Sequence, residues 1–419
     1  MLMSSLSVVR RNLGNTFPAL KGKNFRYFWT GQCISLLGTW VQRTAQQWLV
    51  YSITKSPLLL GLLGVAQFTP VLFFSLFAGV FIDRFSKKKV LIFTQSILMV
   101  LAFTLSFLVW SGKVQYWHVL VIAVIMGFVN TLDMPTRQSF IPELVEKKNI
   151  VNAIGLNSSV FNVARIVGPA IAGYLMVRFG TALCFFFNGL SFIAVIIGIV
   201  LIKPNHSYIR KQSGNIFLGI IEGLRYIISN KTILAAVLSM FAVGTFSMNS
   251  DIIIPVFSTI VLHQGAGGYS TLLSVMGVGS LLAALTVITT TRKGPNKKLL
   301  YGSSILVCLS QTVLLFTHSY LISSIMLALV GFFTVAFSTS VNSTIQLNTS
   351  DDYRGRVMSV YSLANNGTTP LGNLFAGTIT EKFGPNLGFF GCGLVALVLM
   401  VTVLGSLKIN IFSNAKDRK

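Results

Sequence analysis

Long unbroken apolar runs, separated by short clusters of basic residues, dominate this chain. A hydrocarbon layer about 30 Å thick is crossed by a helix of about 20 residues. Windows of that kind run over 27–52, 57–82, 90–110, 117–134, 152–177 and 181–202, and resume at 232–262, 267–290, 299–317, 320–347, 357–380 and 386–407. The runs are continuous instead of alternating, which predicts helices and not a barrel. The pattern is six crossings, a polar stretch, and six more.

The polar stretch, 203–231, has a pattern of its own. Ile216, Phe217, Ile220, Ile221, Leu224, Ile227 and Ile228 recur at helical spacing, with Glu222, Arg225 and Asn230 on other sides. This predicts an amphipathic helix that lies on the membrane surface or packs on the ends of the bundle. Gly168, Gly173, Phe179 and Gly180 match Gly372, Gly377, Phe383 and Gly384 at one offset of 204, and Asn162 with Asn366 keeps it. That offset is near half the chain length and points to a duplicated six-helix unit. The expected domains are a bundle over 1–202, a linker over 203–231 and a second bundle over 232–419.

Composition sharpens the class. Of 419 residues, 53% are hydrophobic and 10% charged, whereas a soluble domain carries about 25% charged residues. A soluble fold and a disordered chain are both excluded. Four cysteines are too few for a disulfide scaffold. The net charge of +23 would suggest nucleic acid on a soluble protein, but here the bases fall in short loops, so no nucleic-acid partner is expected. With a cytoplasmic N-terminus, 27 of the 33 Lys and Arg lie on the cytoplasmic side and four, Lys55, Lys113, Arg178 and Lys382, lie outside. Arg43 and Arg165 fall within spans. This asymmetry predicts a multi-pass plasma-membrane protein with both termini cytoplasmic, and no cleavable signal peptide is visible.

The loop after the second span reads Gly79-Val-Phe-Ile-Asp83-Arg84-Phe-Ser86-Lys87-Lys88-Lys89. It resembles the loop signature of the major facilitator superfamily, G-x-x-x-D-R-x-G-[RK]-[RK], with Ser86 where the second glycine stands. In such a loop Gly79 allows close helix contact, Asp83 faces a helix N-terminus and Arg84 bonds carboxylates or helix-end carbonyls. A latch of this kind holds one face shut. The second-half loop, Arg292 to Lys298, keeps the bases but lacks the Asp-Arg pair.

The resemblance extends over nearly the whole chain. Asn24-Phe-Arg26 with Gln32, Ser35-Leu-Leu-Gly38, Gln42-Arg43 and Trp48 is similar to the first span of the branch containing the enterobactin exporter and the macrolide efflux proteins. Asp133-Met-Pro135-Thr-Arg137-Gln138 and Pro142-Glu143-Leu-Val145 resemble that branch after span four. Asn152 to Asn157, Asn162, Ala164-Arg165 and Gly168-Pro169 through Gly173 resemble its fifth span. The resemblance implies an all-α membrane protein of twelve helices in two pseudo-symmetric six-helix bundles. It also implies export of small amphipathic molecules, often driven by proton entry. The Gly168-Pro169 pair resembles the kinked antiporter motif of proton-coupled drug exporters.

Charges at bilayer depth cost about 2.5–3.5 kcal/mol each by insertion scales, so those present need a reason. Most acidic residues fall in loops or at helix ends, leaving Asp133 and Asp251. Asp133 lies four residues before Arg137 and reads as a gate residue, through that local pair or through a contact with Arg84. Asp251 lies deeper, four residues before Pro255, which cannot donate to its carbonyl and is expected to kink the helix. Asp251 is the candidate for carrying the coupling proton or binding a cationic substrate group; the alternative is a carboxyl wetted by an outer vestibule. Gln32, Ser35, Thr39, Gln42 and Gln46 share one face of span one with Arg43 beside them. Span five repeats the spacing with Gly155, Ser158, Asn162, Arg165 and Pro169. Span ten offers Thr334, Ser338, Asn342 and Gln346, and span eleven Ser362, Asn365, Thr369 and Gly372. Four polar faces are expected to line a shared cavity between the halves; the alternative is hydrogen-bond glue between helices.

No phosphate-binding loop, zinc-protease helix or serine elbow occurs, so no enzyme is expected, and no cofactor or metal. Cys33, Cys184, Cys308 and Cys392 read as small packing residues. The expected protein is a monomeric secondary exporter in the lipid bilayer, moving a small-molecule substrate, a drug-like compound, macrolide or siderophore, against protons. Uptake or lysophospholipid flipping is the alternative within transport, and a non-transporting sensor or scaffold the alternative from another class.

Overall fold

The computed structural model describes residues 17–203, 216–290 and 297–407. Within its helices the side chains at 75–81, 83, 84, 216–220, 288–290, 351, 352 and 366 lie outside the described set. The fold is all-α. Spans one to six are α1 (Lys23–Thr54), α2 (Pro57–Arg84), α3 (Lys87–Trp110), α4 (Tyr116–Phe140), α5 (Ile150–Phe179) and α6 (Thr181–Val200). The linker carries α7 (Ile216–Ser229). Span seven is two helices, α8 (Lys231–Phe246) and α9 (Ser250–Ile260). Spans eight to ten are α10 (Ala266–Thr290), α11 (Lys297–Val313) and α12 (Tyr320–Asn348). Span eleven is α13 (Asp351–Ser362), a π-turn (Leu363–Gly367) and α14 (Thr369–Phe383); span twelve is α15 (Pro385–Ser406).

The duplication shows in the backbone. Gly180 ends α5 at φ 81° and Gly384 ends α14 at φ 85°, and each also opens the next helix. Only glycine enters that region without strain, which is why both copies keep it. Lys55 and His263, in the first short loop of each half, are the two non-glycine residues with positive φ among the described residues, at 53° and 52°.

Close contacts gather the chain into two compact units. The first is Met1–Ala45, Phe73–Val114 and Ile125–Lys211; the second is Gln46–Leu72, Gln115–Val124 and Gln212–Lys419. The boundaries cut spans one, two and four, so one end of each belongs to the second unit. In the first unit α3 packs on α6 and α5 on α6 around Leu91, Leu105, Phe185 and Ile199. The core of the second unit runs through Ile233, Met240, Tyr301, Phe337, Val357 and Met400. Phe93, Phe107, Val177 and Phe316 stay largely exposed, as acyl-facing residues do.

The closest helix pairing in the second unit is α10 on α12. A Cβ on Gly279 would strike the Ala328 carbonyl, and one on Gly331 the Met276 carbonyl. Ser280 Oγ also donates to the Gly331 carbonyl at 3.1 Å. Without a hydrophobic drive between helices in lipid, association rests on such backbone approach. Gly279→Val or Gly331→Val is expected to lower stability by about 2 kcal/mol, read as earlier thermal unfolding in detergent, while Gly302→Val, which meets open space, leaves it unchanged.

Candidate functional site

Three polar constellations sit within the units. The first, in unit one, is built on Asp133, 3% exposed near the end of α4. Its Oδ1 accepts from Thr94 Oγ1 at 2.7 Å and Gln95 Nε2 at 2.8 Å, both on α3. Its Oδ2 accepts from Arg137 Nη2 at 2.6 Å and Nε at 3.2 Å. Arg137 Nη1 donates to Gln32 Oε1 on α1. One carboxylate therefore ties α3 to α4 with four charge-assisted bonds, Arg137 carries the tie on to α1, and the i,i+4 partner expected from the sequence is present.

The lysines of the loop motif also bond inside unit one. Lys87 pairs with Glu143 at 2.6 Å and donates to the Ser139 carbonyl. Lys88 donates to the carbonyls of Val200 and Ile202 at 2.8 and 2.6 Å, capping the end of α6. Gly79, Asp83 and Arg84 lie outside the described side chains.

The polar face of span one divides. Gln42 is buried between helices, accepting from Asn188 Nδ2 on α6 at 2.7 Å and donating to Met126 Sδ on α4. It is bonded as interhelical glue is. Arg43 is exposed, with its guanidinium 5.1 Å from the Trp40 ring. Thr39 is exposed and bonds back to the Ser35 carbonyl. Gln46 is buried, and its Nε2 has no hydrogen-bond partner among the described residues. Asn162 and Arg165 are half-buried on α5, which runs unbroken through Gly168 and Pro169. Asn342 is half-buried on α12 and accepts from Gln346 at 2.5 Å; Asn365 lies in the π-turn.

The second constellation, in unit two, is an interruption. Span seven loses its helical ladder at Ser247–Asn249, near its middle, while Pro255 lies inside α9. Ser and Asn side chains compete with the backbone for its own hydrogen bonds. Asn249 Nδ2 donates to the Thr245 carbonyl at 2.5 Å. Gln311 on α11 donates to the Ser247 carbonyl and accepts from Ser247 Oγ, both at 2.7 Å. Carbonyls freed by the break are thus taken by amide side chains. The π-turn of span eleven packs against α8, and Thr368 Oγ1 donates to the Ala364 carbonyl. Gly372 admits the Thr245 carbonyl and Asn249, contacts that any Cβ would displace. Asp251 is half-buried in the first turn of α9, where a carboxylate faces the positive end of the helix dipole.

The third, also in unit two, joins span two to span eleven. Glu381 Oε2 accepts from Ser56 Oγ at 2.8 Å and from the Leu58 N–H at 3.1 Å, capping the start of α2. Next to it the backbones of Gly61 and Gly377 touch. Tyr269 is fully buried nearby in this unit, donating to Gln47 and stacking on Trp48. Gln311, Asn188, Glu381 and the Ser247–Asn249 run were not singled out by sequence reasoning. A lone amide within an apolar span is the signal that could have found the first two.

Two outcomes test this accounting. Gln311→Leu strands the Ser247 carbonyl and is expected to cost about 2 kcal/mol, read by thermal unfolding in detergent. Asp133→Leu leaves Arg137 with Gln32 alone and is expected to cost about 3 kcal/mol, with Asp133→Leu/Arg137→Met regaining most of the loss; a double mutant no better than the single would refute the pairing.

The comparisons with known proteins fit this architecture. At 24% identity the chain is similar to the staphyloferrin A transporter of Staphylococcus aureus, over 86% of this chain and 90% of that protein. It is similar at 24% identity to the multidrug efflux pump Tap of Mycolicibacterium fortuitum (88% and 91% covered) and at 21% to macrolide efflux protein A of Streptococcus pyogenes (90% and 94%). In fold it resembles the nucleoside transporter NupG, with TM-score 0.74 at 12% identity over 92% of this chain and all of that one. It also resembles a D-xylose-proton symporter, with TM-score 0.72 at 12% identity, covering 90% and 96%. The family description of transmembrane secretion effectors matches residues 14–418, and the chain belongs to this family of the major facilitator superfamily.

Proposed function

We propose that this protein is a secondary active exporter of small amphipathic molecules, of the drug-like, macrolide or siderophore kind. It works by alternating access, with proton antiport, in the plasma membrane with both termini cytoplasmic. The observation that carries the reading is the pair of irregular backbones packed together near the middle of spans seven and eleven. At bilayer depth, non-helical backbone is tolerated where protein buries it or where it lines a water-filled path, and discontinuous helices are where transporters hold cargo and coupling ions. The names of the relatives, which cover siderophore, multidrug and macrolide transport, support the cargo class.

In this reading the six-helix halves, 1–202 and 232–419, rock about the site and the segment 203–231 joins them. Asp251 carries the coupling proton at the start of α9. Arg43, Gln46, Asn162, Arg165, Asn342 and Asn365 face the cargo path, while Gln32 and Gln42 hold helices together. The loop motif Gly79, Asp83 and Arg84 closes the cytoplasmic face. The Glu381 cap on span two closes the opposite one, because opening there separates span eleven from span two.

Purified protein in proteoliposomes with an imposed pH gradient is expected to move a fluorescent amphipathic cation or a siderophore, and the movement is expected to stop when the gradient is dissipated. Asp251→Asn is expected to abolish gradient-driven movement while counterflow exchange persists. Full gradient-driven transport by Asp251→Asn would refute its coupling role, and transport indifferent to the gradient would refute antiport.

A further inference from the structure

The linker helix α7 has two unlike sides. One is fastened to α13. Glu222 pairs with Arg356 at 2.5 Å, the Tyr226 ring stacks on Tyr353 with centroids 4.6 Å apart, and the Tyr226 hydroxyl accepts from the Ser350 N–H at 3.2 Å. That last bond holds the Tyr226 phenol below its ordinary pKa. Ile227, on the same side, is 2% exposed in the unit-two core, and Gly223 lies against the Arg356 carbonyl. Among the described residues the other side is uncovered. Ile221, Leu224 and Ile228 are 55%, 43% and 66% exposed, and with Arg225 and Ser229 they line an open depression of about 450 Å³.

Charge identifies what fits there. The Glu222 carboxylate is taken by Arg356, and among the described residues no carboxylate pairs with Arg225. The bare side is therefore apolar with one uncompensated cation. The chain's remaining segments do not complement it. Residues 1–16, 204–215, 291–296 and 408–419 together hold Arg10, Arg11, Arg210, Lys211, Arg292, Lys293, Lys408, Lys416, Arg418 and Lys419 against a single acid, Asp417. Those segments carry the same sign of charge as Arg225, which favours an anionic partner from outside the chain.

Position separates a lipid from a soluble protein. Asn230 follows α7 directly, and its Oδ1 accepts from the Thr232 and Ile233 N–H groups at 3.0 and 3.3 Å, capping α8. Ile228 is thus three residues ahead of the first residue of a membrane span, which places the bare side at headgroup depth. We propose that this side of α7 is a membrane-surface site: Arg225 takes the headgroups of anionic phospholipids, and Ile221, Leu224 and Ile228 seat among the acyl chains beneath them.

The full-length protein is reconstituted with a reporter. Cys184, Cys308 and Cys392 are buried. In a Cys33→Ser background, Ile228→Cys therefore takes an environment-sensitive fluorophore selectively. The expected result is quenching by doxyl-labelled lipid and protection from iodide, strengthening as phosphatidylglycerol replaces phosphatidylcholine in the vesicle. Arg225→Gln is expected to raise the half-saturating fraction of phosphatidylglycerol about fivefold, the equivalent of the roughly 1 kcal/mol a basic residue contributes at an anionic surface. Ile221→Ser/Leu224→Ser is expected to lose the lipid quenching at every composition. Iodide access like that of a label in a solvent-exposed loop, or quenching indifferent to phosphatidylglycerol and to Arg225→Gln, would overturn the proposal. So would protection that arises only when a soluble acidic protein is added. Export activity is not the readout, so failure here leaves the transport reading standing.

Discussion

In hydrocarbon no water is present to satisfy a backbone N–H or C=O, and this constraint governs the whole structure. Helices meet it along their length, so the described residues are helix nearly throughout. The constraint also makes every departure from helix costly. Span seven departs from it at Ser247–Asn249, and the structure answers with side chains: Asn249 takes the Thr245 carbonyl and Gln311 takes the Ser247 carbonyl. A break supported by two dedicated amides is built into the fold, and span eleven places its π-turn beside it.

The same logic separates two kinds of buried polarity. Asp133 is saturated: four donors from three residues converge on one carboxylate. Such a group holds α3 and α4 in register, and Arg137 extends the hold to α1 through Gln32. Asp251 has a different setting, half-buried at the start of a short helix that begins where the ladder lapses. In the sequence Asp133 is marked by Arg137 four residues on and Asp251 by Pro255 four residues on; the tertiary structure adds the surroundings of each.

Small residues and short hydrogen bonds join helices in this protein alongside its apolar core. Gly279 and Gly331 bring α10 and α12 to backbone contact, Gly61 and Gly377 do so for spans two and eleven, and Glu381 fastens the latter pair by capping α2. The seam of spans two and eleven combines close approach with one exposed carboxylate. In the seam of α10 and α12 the added bond is from a buried hydroxyl, Ser280, to the Gly331 carbonyl.

Much of this was legible in the chain itself. The twelve crossings and the amphipathic character of α7 follow from the period and length of the apolar runs, because burial in lipid is a property of each segment alone, while the superfamily was legible in the resemblance of the loop Gly79 to Lys89 to its motif. The repeat was visible in Gly180 and Gly384, since a positive φ leaves a residue type as its trace. The Asp133–Arg137 pair was visible because its partners are one helical turn apart. What the chain alone left open is every contact between segments distant in sequence. That Gln42 bonds Asn188, that Gln311 supports a break on another helix, and that Glu381 caps a helix more than three hundred residues earlier are decided by which helices become neighbours. A polar side chain in an apolar run must find a partner, but only the tertiary structure says which one.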